Sequence, residues 1–97
     1  MDDDANKPGA KRPLIEYPTI YEFKVMGRRG QGFEEWVRLL FGRLIGTEVS
    51  RDSITENVSK RGNYVSLTVT VFLQSEEQRQ MIYGHLHREK ERILYYL

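Results

Sequence analysis

The chain has 97 residues, 15 Lys and Arg against 14 Asp and Glu, a formal charge of +1 and no cysteine. That length supports one small core and no second domain, and the missing cysteines exclude disulfides, thiolate metal sites and thiol nucleophiles. The near-zero charge argues against a uniformly basic surface, no apolar run nears the roughly 20 residues of a membrane helix, and Met1-Asp2-Asp3-Asp4 lacks the pattern of a secretory signal, so a cytoplasmic domain without membrane contact is expected.

Residues 1–13 (MDDDANKPGAKRP) hold no β-branched or aromatic residue. Such a stretch buries too little surface to offset the entropy of ordering, which predicts a disordered tail ahead of a single domain over 14–97. Tyr17-Pro18 then leads into residues 19–27, where Tyr21, Phe23 and Val25 alternate with Glu22 and Lys24 up to Gly27. Period two predicts a half-buried strand. Over 31–46 the period changes. Phe33, Trp36, Val37, Leu40, Phe41, Leu44 and Ile45 form one helical stripe, with Gly46 where a terminating glycine belongs.

Residues 53–59 form a weaker strand, with Glu56 between Ile54 and Val58, as an edge tolerates. A turn at Lys60-Arg61-Gly62-Asn63 leads into Tyr64 to Leu73, where Val65, Leu67, Val69, Val71 and Leu73 alternate with Ser66, Thr68 and Thr70. This is the strongest strand and is expected to be central. Ser75 followed by Gln78 makes a capping box for a helix to about Arg88, whose apolar face, Ile82 and Leu86, is thin. Residues 92–97 (RILYYL) are read as a last strand alternating Ile93, Tyr95 and Leu97 against Leu94 and Tyr96.

The order β-α-β-β-α-β predicts an α+β, ferredoxin-like sandwich: a four-stranded antiparallel sheet with two helices on one face. Right-handed crossovers place the first and third strands in the centre. Tyr17-Pro18-Thr19, the run Phe23-Lys24-Val25-Met26-Gly27 and the hairpin Ser59 to Ser66 together resemble the YbeD-like family of small bacterial domains of unknown function, family 493 of such domains. The resemblance covers about residues 15–97. It implies a ferredoxin-like fold similar to ACT regulatory domains and brings no established activity or catalytic residue with it. The expectation is therefore a non-catalytic regulatory or protein-interaction domain, with no cofactor.

The candidate ligand residues are Arg28, Arg29, Gly30 and Gly32, before the first helix, and Lys60 and Arg61 in the hairpin. A helix start offers free N–H groups, glycines let a ligand approach, and arginines suit carboxylate or phosphate. The topology gathers these residues with Arg88 and Lys90 at one end, and Glu48, Arg51, Asp52, Glu76 and Glu77 at the other. A small anionic ligand or an acidic partner is the expected consequence. The open sheet face is expected to show Met26, Tyr64, Phe72, Leu94 and Tyr96, a surface for a protein partner or a second copy.

The alternative is a small RNA-binding module, since RRM domains share the topology and use sheet aromatics; here Ser66, Thr68 and Thr70 occupy that stretch. A third reading is an acylphosphatase-like enzyme. Gln31-Gly32 resembles the phosphate loop of that family, but Trp36 stands where its phosphate-binding arginine would be. His85 and His87, two apart on a helix, point to different sides and cannot chelate one metal, so no metal site is expected.

Overall fold

The computed structural model describes residues 14–97; the predicted tail, residues 1–13, lies outside the described residues. The elements are β1 (Thr19–Arg28), α1 (Phe33–Ile45), a 3-10 turn (Arg51–Ser53), β2 (Ile54–Val58), β3 (Tyr64–Leu73), α2 (Glu76–Arg88) and β4 (Tyr95–Tyr96). All neighbouring strands are antiparallel, in the order β2-β3-β1-β4. The ferredoxin-like expectation holds, with β1 and β3 central.

Alternation along the two long strands builds the core. Phe23 and Val25 of β1 and Val65, Leu67, Val69, Val71 and Leu73 of β3 turn to the helix layer. There they meet Phe33, Val37, Leu40 and Phe41 of α1 and Ile82 and Leu86 of α2. Each such aliphatic or phenyl side chain taken out of water contributes about 1.5–3 kcal/mol. Gly27 has a packing role: a Cβ there would lie 2.5 Å from the Phe33 ring and 2.7 Å from the Arg92 carbonyl. Its missing side chain lets Phe33 close the core over the end of β1.

The ends of the helices follow their sequence signals. Gly46 takes φ 80°, and its N–H reaches the Gly42 carbonyl. Ser75 accepts the Gln78 N–H at 3.1 Å, while the Gln78 side chain accepts from Gln74 N–H at 2.7 Å, one residue outside the usual capping box. α1 starts at Phe33, where the apolar stripe begins, because Gly30, Gln31 and Gly32 all have positive φ and cannot join a right-handed helix.

β2 agrees with the sequence reading to a residue at each end, whereas β4 departs from it. β2 is confined to Ile54–Val58 and meets only Val65–Val69. Arg38 donates to the Val49 carbonyl at 3.0 Å and holds the connection back along α1. The connection then makes the 3-10 turn, and the strand begins only opposite the middle of β3. β4 spans two residues instead of six. The N–H groups of Arg92 and Ile93 turn back to the Glu89 carbonyl at 3.2 and 2.8 Å. Leu94 N–H then donates to Met26, although Tyr95 is the register partner of Met26. Leu94 and Tyr95 thus both face Met26, a bulge that shifts the alternation by one.

Candidate functional site

The basic end is held together by backbone bonds. Arg28 pairs in register with Tyr64, and Arg29 N–H donates to the Asn63 carbonyl at 3.0 Å. The hairpin closes through Ser59, whose N–H reaches the Tyr64 carbonyl at 2.9 Å and whose carbonyl takes Gly62 N–H at 2.9 Å. Gly62 has φ 79°, and the Arg29 guanidinium lies over it, 3.3 Å from where a Cβ would stand. From the third loop, Arg92 donates to the Gln31 carbonyl at 2.9 Å and stacks 4.6 Å above the Trp36 ring. Loops from three parts of the sequence therefore converge, carrying exposed Arg28, Arg29, Lys60 and Arg61. None of these four joins an ion pair among the described residues, where Glu35–Arg38, Glu35–Arg51 and Glu76–Arg79 pair.

The two arginines before α1 do not share a face. Arg28 continues the open-face parity of Met26, whereas Arg29 lines a hollow of about 480 Å³ with Gly30, Gly32, Glu34, Glu35 and Arg51. That hollow is of mixed sign. Arg38 holds the Glu35 carboxyl below its ordinary pKa by hydrogen bonding, and Glu35 in turn raises Arg38. Arg51, placed by the sequence reading at the opposite end, reaches Glu35 in the first turn of α1 at 3.5 Å. The doubling-back of residues 46–53 carries it there.

On the open face, Met26, Tyr64 and Phe72 lie as expected, but Tyr96 does not. The bulge turns it to the helix side, opposite Val25, where its ring stands 5.9 Å from Tyr83 and its hydroxyl 3.2 Å from His87 Nδ1. Tyr95 takes the open-face place beside Met26, and Leu94 is exposed at the bulge. Phe72 stands apart, paired with exposed Ile20 at the far end. Ile20 shares the parity of Met26, so its place was readable; that of Tyr95 was not, since only the bulge determines it. Near the hairpin, Met26, Tyr64, Asn57, Val58 and Ser66 line a shallow hollow of about 260 Å³, directly beside Arg28.

A polar seam between α2 and β1 has no sequence signal, because its partners lie far apart in the chain. Glu76 receives a bidentate contact from Arg79 and the Tyr17 hydroxyl at 2.6 Å. The Tyr21 and Tyr83 hydroxyls meet at 3.0 Å, and Arg79 approaches Tyr21 at 3.4 Å. The hydrogen bonds from Arg79, Tyr17 and Gln80 lower the Glu76 pKa to about 2. Glu76 raises Arg79, and burial followed by the bond to Tyr21 raises Tyr83.

Trp36, at the position that an acylphosphatase-like loop gives to arginine, stacks on Phe33 with centroids 6.0 Å apart. Among the described residues no group of His, Asp and Glu is arranged to hold a metal ion, and no helix is long and apolar enough to cross a membrane.

Comparisons place this architecture. A UPF0250 protein of Leptothrix cholodnii is 37% identical over 76 residues, covering 78% of this chain and 82% of that protein. A UPF0250 protein of Neisseria meningitidis is 38% identical over 80 residues, 82% and 87% of the two chains. The solution structure of protein HP0495 from H. pylori shares the fold, with TM-score 0.59 and 17% identity over 91% of this chain and 90% of that one. The family described as "Protein of unknown function (DUF493)" matches residues 12–97. The resemblance read from the FKVMG run and the Gly-Asn-Tyr hairpin is thus shown: the chain belongs to the DUF493 family of proteins of unknown function.

Proposed function

We propose that this is a non-catalytic, cytoplasmic protein-interaction domain of regulatory kind that binds an acidic partner segment on the open sheet face at its basic end. One observation carries the reading: the apolar hollow of Met26 and Tyr64 adjoins Arg28 and the Lys60-Arg61 turn. An apolar centre with a charged rim is the usual anatomy of a protein interface. A small anion bound at Arg29 is less favoured, since Glu34, Glu35 and Glu56 line the hollow there. A stacking platform for RNA is also less favoured. Tyr64 and Phe72 lie eight residues apart on β3, about 26 Å at the strand rise, with Ser66, Thr68 and Thr70 between them.

The test is an NMR titration of the labelled protein with a synthetic peptide alternating Glu and Leu. Amides of Met26, Arg28, Ser59–Tyr64 and Tyr95 should shift. Added salt and the double variant Arg28→Glu with Arg61→Glu should each weaken binding. No shift at millimolar peptide, or binding indifferent to charge reversal, would sink the reading.

A further inference from the structure

The far end of the sheet carries a second surface, independent of the basic end. β3 continues to Leu73, but β2 stops at Ile54, opposite Val69. The Ser59–Tyr64 bond shows that Tyr64 turns its backbone groups toward β2. By period two, Thr68, Thr70 and Phe72 do the same. Thr68 meets Thr55, whereas Thr70 and Phe72 have no partner strand on that side among the described residues. The bare edge opens onto a groove of about 370 Å³, lined by Ile45, Val49 and Val71, the hydroxyls of Ser50 and Ser53, and Glu48. Exposed edges are ordinarily blunted by Lys, Pro or a bulge, and Thr70-Val71-Phe72 has none of these.

We propose that this edge accepts one short extended segment of a partner protein as an added strand in line with β2, with an apolar side chain against Ile45, Val49 and Val71 and a basic one toward Glu48. Glu48 is the one charged side chain among the residues lining the groove, so the edge selects a basic peptide where the other end selects an acidic one. The four uncovered positions from Thr70 to Leu73 admit a segment of about 13 Å. A second copy of the chain fits poorly. In the register centred on Val71, two-fold pairing would set its Leu73 opposite Val69, where Ile54 already sits.

The experiment titrates labelled protein with the peptide Ac-Thr-Val-Thr-Lys-Thr-NH2 and two N-methylated forms, one methylated on the Val and Lys amides, the other on the Thr amides. Amides of Thr70–Leu73 and Ser50–Ser53 should shift. One methylated form should bind about tenfold more weakly while the other binds normally, because only alternate N–H groups face the edge. Glu48→Lys should weaken this peptide and favour its Lys-to-Glu counterpart. Equal effects of the two methylations, shifts confined to Arg28–Phe33 and Ser59–Tyr64, no shift at millimolar peptide, or self-association through this edge in sedimentation would each overturn the proposal.

Discussion

Gly27 and Gly84 look alike in the sequence and have opposite roles. At Gly27 a methyl group would strike the Phe33 ring and the Arg92 carbonyl. Gly27→Ala should therefore cost about 1–3 kcal/mol through overpacking, read as a lower urea midpoint. At Gly84, beyond the helix's own backbone, an added Cβ would meet only the Arg88 guanidinium, at 3.9 Å, so no neighbouring element requires that glycine. Gly84→Ala should instead raise the midpoint, by about 1 kcal/mol of helix propensity. Sequence reading shows only that Gly27 ends a strand and Gly84 interrupts a helix. Which one is indispensable depends on neighbours that the fold brings in from elsewhere, Phe33 from α1 and Arg92 from the last loop.

At the scale of elements, α2 is held differently from α1. α1 buries Phe33, Val37, Leu40 and Phe41, while α2 buries only Ile82 and Leu86. The Glu76–Arg79–tyrosine seam supplies further attachment to β1. Because Glu76 has a folded pKa of about 2 against an ordinary 4.5, its stabilising effect is complete above the ordinary value and is lost as pH falls through the folded one. Glu76→Gln should flatten the fall in urea midpoint between about pH 5 and about pH 2, whereas at neutral pH the variant should be the less stable protein. A variant as acid-sensitive as the parent would place the low-pH loss elsewhere. β1, β3 and α1 were legible because each carries several turns or alternations of one period, and α2 because the Ser75–Gln78 cap marks its start. β4 was legible as a strand, but its extent and facing were not, because two paired residues carry too short a pattern. Its direction is set by Tyr96 seated between Tyr83 and His87.

For the whole molecule, a net charge of +1 coexists with a local segregation of charge. The basic loops flank an apolar hollow at one end, and at the other the sheet narrows to two strands beside a groove whose charge is a carboxylate. The meeting of the loops that carry Arg28, Arg29, Lys60 and Arg61 followed from topology and was legible, but not the divergence of Arg28 and Arg29 to different faces. The bare edge of β3 was not, since nothing local in residues 46–53 shows that Arg38 will fold them back along α1. The bulge at Leu94 bears on how relatives of this protein can vary in length. Losing one residue inside β1 or β3 would invert every side chain beyond it, whereas losing Leu94 would leave one residue opposite Met26 and keep Tyr96 inward. A chain lacking Leu94 should melt cooperatively within a few degrees of the parent, while one lacking Thr68 should not fold. Among homologues, single-residue gaps should accordingly gather just before the final tyrosines, where the sheet absorbs a change of length without exchanging inside for outside.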